Sequence, residues 1–486
     1  MLTCFRVLVE RELHIHPGVR VVQFHHADEI SWGGAIVAMH RLHVGLRRAG
    51  VDSQILCSLK TLDSPHTHVL QRPRLVEALL KRVTSRLGLN DIHCVGSFGI
   101  RNHPAFRAAD VVHIHGTHSG HLSYLALPGM TRRKPMALTL HDMWSFTGHC
   151  AYSYGCERWK AGCGSCPHLD AVPAVRRDAT ALEWRLKRWV YGRAPLTIVT
   201  LSDWITTLAR QSLLARFPIH QIPNGIDTEV YRPLDRGHCR SLLGIPPDRK
   251  VLMWLAARLD PAHHEGRRKG ADLLLAALRR LPESIRGDVL LLLVGKNGER
   301  VAEMAGLPSL NLGFVASDHL KAIAYSAADL LLFPTRADNM PLVLLESLAC
   351  GTPMVSVRVG GVPDIVRQGV TGYLAAPEDA ADFAAGIVRL LEDDGAREAM
   401  GRRCRAIAVD EYSIDLHVRR HVDLYRSMAG LAPASAVEAA GGHLATAQRS
   451  LLGARRPRRW LRRQPCPAGC AGADPDRNAS AAADPR

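Results

Sequence analysis

The residues best suited to chemistry lie in the second half of the chain. In the segment FPTRADNMPLVLLE, Asp338 and Glu346 bracket a short apolar run. An apolar stretch ends at Phe333. Asp338 or Asn339 can then cap a helix, with Met340 beside it and Pro341 in the first turn, where a missing N–H costs nothing. Such a helix start offers free N–H groups and the positive end of the dipole, a place for a phosphate or a sugar hydroxyl. Glu346 falls among Leu344, Leu345 and Leu348, so its carboxylate either points to water or needs donors such as ribose hydroxyls. On these residues alone, a capped core helix with one solvated Glu is an equal reading.

Two cations precede this segment. Arg258 closes the apolar stretch 250–256, and Lys269 stands just before Gly270 and the helical pattern 271–280. Placed at one sheet edge they suit a diphosphate, Arg as a two-pronged fork and Lys as a point charge. The run Arg267-Arg268-Lys269 also reads as a solvated loop. In the first half, Gly33-Gly34 follows a strand pattern and opens a helix, which permits close backbone approach to a phosphate or sugar. His141-Asp142 follows the apolar run 136–140, and such a pair can bind a sugar hydroxyl or assist proton transfer. His113 and His115 end another apolar run and are acceptor-side candidates. Cys150, Cys156, Cys163 and Cys166 form a C-x5-C-x6-C-x2-C cluster. Four thiolates suit a structural Zn²⁺, while free thiols and disulfides remain open alternatives.

These residues need strand ends to hold them. Short apolar runs at 19–24, 53–58, 110–115, 136–140 and 196–201 alternate with helical patterns, and the alternation restarts at 250–256, 288–294, 311–314, 330–333, 354–357 and 371–374. This predicts α/β architecture with two Rossmann-like domains facing across a cleft. We place an N-terminal extension at 1–18, a first domain at 19–225 with the Cys-rich insertion 150–166, and a second domain at 226–430. A disordered basic tail is expected at 431–486, where Ala, Gly, Pro and Arg dominate.

As a set, these motifs resemble the family 4 retaining glycosyltransferases of the GT-B fold. The family shows a carboxylate, seven residues and a Glu, here Asp338 and Glu346. Its donor-diphosphate cations correspond to Arg258 and Lys269. Gly360-Gly361 resembles a glycine-rich turn of the family, and Gly295 and Gly313-Phe314-Val315 resemble its loops around the nucleotide base. The Cys-rich segment is similar to an insertion in a colanic-acid-type polysaccharide branch. The resemblance implies catalytic roles for Arg258, Lys269, His141 and Asp338. It implies donor binding by Gly33, Gly34, Asn339, Met340, Glu346, Gly295 and Val315. It further implies a nucleotide-sugar donor, a glycan or lipid-linked saccharide acceptor, and no required catalytic metal.

Composition narrows the alternatives. The 486 residues carry a net charge of +16, with 47% hydrophobic and 22% charged side chains, ordinary for a globular chain with two cores. A basic surface attracts anions, and the amphipathic stretch 74–87 could rest on an anionic membrane, although a packed helix is the plainer reading. No apolar run reaches ~18 residues and no secretory leader is legible, so a cytoplasmic location is expected, peripheral at the inner membrane face if the stretch does bind lipid. A zinc-containing nucleic-acid-binding protein lacks the expected signatures, so no nucleic-acid partner is expected. A non-catalytic nucleotide-sugar-binding protein is disfavoured by the complete set of site residues.

Overall fold

Apolar runs too short for helices, separated by amphipathic segments, fold here into two parallel sheets. The computed structural model describes residues 18–28, 33–118 and 120–432. All belong to one unit of the chain, Met1–Val437. Most of the expected N-terminal extension and, from residue 433 on, the basic tail lie outside the described residues.

The first sheet holds β1 (Arg20–Ala27), β2 (Asp52–Leu59), β3 (Thr67–Val69), β4 (Val111–His115), β5 (Met136–Leu140), β6 (Thr197–Thr200) and β7 (Ile219–Gln221). Their order is β3-β2-β1-β4-β5-β6-β7. The second holds β8 (Lys250–Arg258), β9 (Val289–Lys296), β10 (Ser309–Asn311), β11 (Leu330–Phe333), β12 (Met354–Val357) and β13 (Gly372–Ala375), ordered β10-β9-β8-β11-β12-β13. Every pairing within both sheets is parallel. Parallel strands are covered by helices on both faces, which is why the central ones read as continuous apolar runs. β4, β5, β11 and β12 are buried along their whole length.

In each sheet the order reverses between two neighbours, β1 and β4 in the first, β8 and β11 in the second. Crevices at the carboxyl ends of such strands are where open α/β sheets take ligands. The chain leaving β1 enters helix α1 (Gly34–Arg48), and the chains leaving β8 and β11 carry Lys269 and Asp338. Strand order alone therefore brings these segments together.

Three features differ from the sequence reading. The edge strands β3 and β7 have only three residues each, too few to show a pattern. The strand expected at 311–314 lies at Ser309–Asn311, because the chain turns at Gly313, whose φ is 63° and whose N–H donates to Asn311 Oδ1. The last helix, Ile414–Met428, returns to the first half although it follows the second in sequence. Val418, Val422 and Tyr425 pack there with Val19, Val21, Leu42 and Leu46. The close approach depends on Gly45, where a Cβ would stand 2.6 Å from Val418 Cγ2. The boundary at 225/226 thus marks where the chain first crosses between halves, not where the first half ends.

Candidate active site between the two sheets

A cavity of about 650 Å³ opens where the carboxyl ends of both sheets face each other. Gly33, Gly34 and His141 reach it from the first half. Lys269, Gly295, Val315, Asp338, Asn339, Met340 and Glu346 reach it from the second. Gly33 has a φ of 132°, which side-chain-bearing residues rarely adopt, and a Cβ on either Gly33 or Gly34 would meet nothing within 4 Å. This turn therefore presents bare backbone and open space to whatever fills the cavity.

The charged centre lies at the end of β11. Lys269 Nζ and Thr335 Oγ1 each donate to Asp338 Oδ2 at 2.8 Å. Arg268 Nη1 donates to the Ala337 carbonyl at 2.8 Å and stands 3.5 Å from Asp338 Oδ1. Gly270 makes this possible: its φ is 76°, and a Cβ there would run into the Pro334 carbonyl oxygen. Burial alone would raise the Asp338 pKa, but the charges of Lys269 and Arg268 overcome it and hold the carboxyl below its usual range. Burial lowers the Lys269 pKa, with Asp338 opposing.

Two expectations are corrected here. Arg258 does not line the cavity; its place beside Lys269 is taken by Arg268. A register irregularity between Leu255 and Arg258 puts Ala257 on the cavity and leaves Arg258 paired along the sheet with Lys296. Neither Asp338 nor Asn339 caps the following helix, which runs Leu342–Ala349 with Pro341 at its N-cap and no side-chain cap. Asp338 is held by Lys269 instead. Asn339 accepts from Ser202 Oγ at 2.6 Å and donates to the Leu140 and His141 carbonyls at 2.9 and 3.3 Å, joining the two halves at the cavity floor.

Glu346 is 3% exposed. Its partner comes from the other half: Arg41 Nη2 on α1 donates to Glu346 Oε1 at 2.8 Å, while Tyr325 donates to Oε2 at 3.0 Å. Arg41 also donates to the Tyr231 hydroxyl at 3.1 Å and meets Asp318 at 3.4 Å. Burial works against the Arg41 charge, but the carboxylates of Glu346 and Asp318 outweigh it and raise the pKa. Arg41 lines the cavity, and its Nη1 is buried with no partner among the described residues. Sequence reading missed Arg41 and Arg268. Arg41 lies seven residues past Gly34, two turns on and hence on the same helix face, a weak signal that points inward only once α1 is known to face the cleft.

On the first-half wall, burial lowers the His141 pKa to about 4, so the ring is neutral at pH 7. Its Nε2 stands 3.4 Å from His115 Nδ1. The adjacent Asp142 pairs with His118 Nε2 at 2.6 Å. Burial disfavours the charge on His118, but Asp142 outweighs it and raises the pKa. His113 sits deeper, between Thr139 and Tyr425 at 2.6 Å from each, and lines no part of the cavity.

Cys150, Cys156, Cys163 and Cys166 converge on a separate small cavity of about 20 Å³. Gly148 N–H donates to Cys163 Sγ at 3.2 Å, and Cys166 Sγ lies 3.4 Å from His149 Nε2. All four are free, and among the described residues no group of three or more His, Cys, Asp or Glu is placed to hold a metal ion. The same insertion sends Tyr152 into the main cavity, where its ring lies 5.7 Å from the Arg268 guanidinium.

Residues 32–230 match the domain described as Glycosyltransferase Family 4, and residues 254–393 match Glycosyl transferases group 1. The chain carries the two domains of a glycosyltransferase. It is 32% identical over 254 residues to a D-inositol 3-phosphate glycosyltransferase of Mycobacterium marinum, covering 49% of this chain and 50% of that protein. The chain thus spans about half the length of the curated relatives it matches. In three dimensions it resembles sucrose-phosphate synthase from Thermosynechococcus elongatus, with a TM-score of 0.61 at 19% identity over 84% of this chain and 99% of that one. It also resembles Anabaena HepE, solved with UDP-glucose, with a TM-score of 0.58 at 18% identity over 84% of this chain and 100% of that one. The glycosyltransferase fold is therefore the GT-B arrangement of two facing Rossmann-like domains. Among its described residues no helix is long and apolar enough to cross a membrane.

Proposed function

We propose that the chain is a retaining glycosyltransferase that moves a sugar from a nucleotide-sugar donor to a glycan or lipid-linked saccharide acceptor, in the assembly of a bacterial-type surface polysaccharide at the inner face of the cytoplasmic membrane. The observation that carries this reading is the single cavity in which Arg268 and Lys269 stand beside Asp338 at the start of the helix bearing Glu346, opposite the bare turn Gly33-Gly34. The likeness to a structure solved with UDP-glucose supports a nucleotide-sugar donor.

In this reading Lys269 and Arg268 bind the diphosphate and stabilise the charge that grows on it as the sugar leaves, the kind of fixed electrostatic help that costs no rearrangement. The N–H groups at the start of Leu342–Ala349 and the Gly33-Gly34 backbone face the same group. Glu346 receives the ribose hydroxyls and Asp338 a hydroxyl of the donor sugar. Neutral His141 hydrogen-bonds the transferring sugar or the acceptor without adding charge. Arg41 and Asn339 hold the halves at the separation these contacts need, which sets orientation.

The test is release of nucleoside diphosphate from UDP-, GDP- and ADP-sugars by the purified protein, alongside its melting temperature with each nucleotide. One nucleotide should raise the melting temperature and its sugars should turn over, with the product anomer keeping the donor's configuration by NMR. Neither stabilisation nor release with any of the donors would overturn the reading.

A further inference from the structure

Helix α2 (Arg74–Arg86) is amphipathic in the reverse sense. Its buried residues are Glu77 and Thr84, seven positions apart on one face. Glu77 takes Arg72 Nε at 2.8 Å on one oxygen and the Gly96 N–H at 2.8 Å on the other. The helix is thus fixed to the fold through a carboxylate, and its hydrocarbon points away. Leu75 is 85% exposed and Leu79 62%, with Val83 and Leu87 continuing the same stripe at four-residue steps. Lys81, Arg82 and Arg86 are exposed beside it, and α2 has no exposed acidic side chain. An ordinary packed helix would show the opposite arrangement.

From this geometry we infer that α2 is a docking surface for an anionic lipid bilayer, lying in the interface with Leu75, Leu79, Val83 and Leu87 among the acyl chains. A contiguous apolar stripe left in water marks an interaction site. The flanking cations choose the partner: Lys and Arg at the edge of an apolar stripe meet acidic headgroups while the stripe enters the hydrocarbon boundary. The position suits the chemistry next door. Arg72, which holds Glu77, also donates to the Gly120 carbonyl at 2.7 Å, two residues from His118, whose partner Asp142 lines the main cavity. A lipid-linked acceptor would then present its sugar from the surface on which the protein rests. The docking surface stands on its own geometry, and only this last link rests on the proposed activity.

The test is sedimentation of the full chain with phosphatidylcholine vesicles, with and without phosphatidylglycerol. The parent should bind only the anionic vesicles, in a salt-sensitive way. Leu75→Glu/Leu79→Glu should lower the bound fraction at least ~10-fold, and Lys81→Gln/Arg82→Gln/Arg86→Gln should remove the preference for phosphatidylglycerol. Both variants should keep the parental melting temperature, since the changed side chains are exposed. Nucleoside diphosphate release is followed in parallel. If it is absent in every protein while vesicle binding follows the pattern above, the activity is overturned and the docking surface stands. Vesicle binding unchanged by the α2 variants, no binding by the parent, or a parental dimer that Leu75→Glu/Leu79→Glu dissociates would each overturn the inference.

Discussion

The two halves share a sheet topology but fill it differently. In the second, β8, β9, β11 and β12 bury Val, Leu, Met, Trp and Phe, and the charges gather at the strand ends. In the first, the equivalent strands carry polar groups through the sheet itself. Gln23 on β1 bridges the Tyr425 hydroxyl at 3.4 Å and His115 Nε2 at 2.7 Å, and His115 leads on to His141 at the cavity. His113, His417 and His421 are buried beside this chain of contacts. The second half is held mainly by apolar area removed from water, with buried ion pairs such as Arg240–Asp329–Arg397 confined to the strand ends. The other is held in part by a buried polar network, whose value depends on every member staying neutral and paired.

The largest expected effect breaks the comparison at the charged edge of the second half. Lys269→Ala should reduce turnover by ~10²–10³-fold, the scale for loss of one preorganised electrostatic contact, measured as kcat for nucleoside diphosphate release. Arg258→Ala should change turnover little, because its side chain is off the cavity. Equal losses from the two variants would restore Arg258 to the site.

Next in size is the contact between halves. Arg41→Ala leaves the Glu346 carboxylate buried with only Tyr325 for a partner, so urea unfolding should show a loss of about 3 kcal/mol. Glu346→Gln keeps a polar partner and should cost less. The double variant should fall well short of the sum if the two groups act as a pair.

Acid should separate the halves more gently. Burial lowers the pKa of His113, His115 and His417 well below 6.5, and that of His421 to about 4. The unfolded chain then binds more protons than the folded one below pH 6.5, so stability is complete above that pH and falls as pH drops towards 4. The slope is ~1.4 kcal/mol per pH unit for each such histidine. His118 is shifted the other way, so its contribution is complete below pH 6.5 and is lost only as pH rises above that value; it does not offset the others in this range. Melting temperature against pH from 7.5 to ~4.5 should fall, and His421→Phe should flatten the curve. The smallest effect concerns the cavity floor, where Ser202→Ala removes the 2.6 Å bond to Asn339 together with the 3.3 Å cap on the Ile205 N–H and should cost about 1–2 kcal/mol in urea unfolding.

The sequence by itself determined the strand and helix rhythm, because apolar runs of four to seven residues between amphipathic segments permit little else than parallel sheets. It also determined which strand ends carry Lys269, Asp338, Glu346, Gly33-Gly34 and His141. Tertiary structure decided what depends on facing and return. The chain at the irregular end of β8 leaves Arg258 off the cavity, and Arg268, ten residues on, stands there beside Lys269 instead. Arg41 became the partner of Glu346 only when α1 met the other half, a contact across 305 residues that no local pattern encodes. The return of Ile414–Met428 to the first half, and the outward turn of the apolar face of α2, were settled in the same way. A helix's stripe is legible in its own residues, but what that stripe meets is fixed by the rest of the chain.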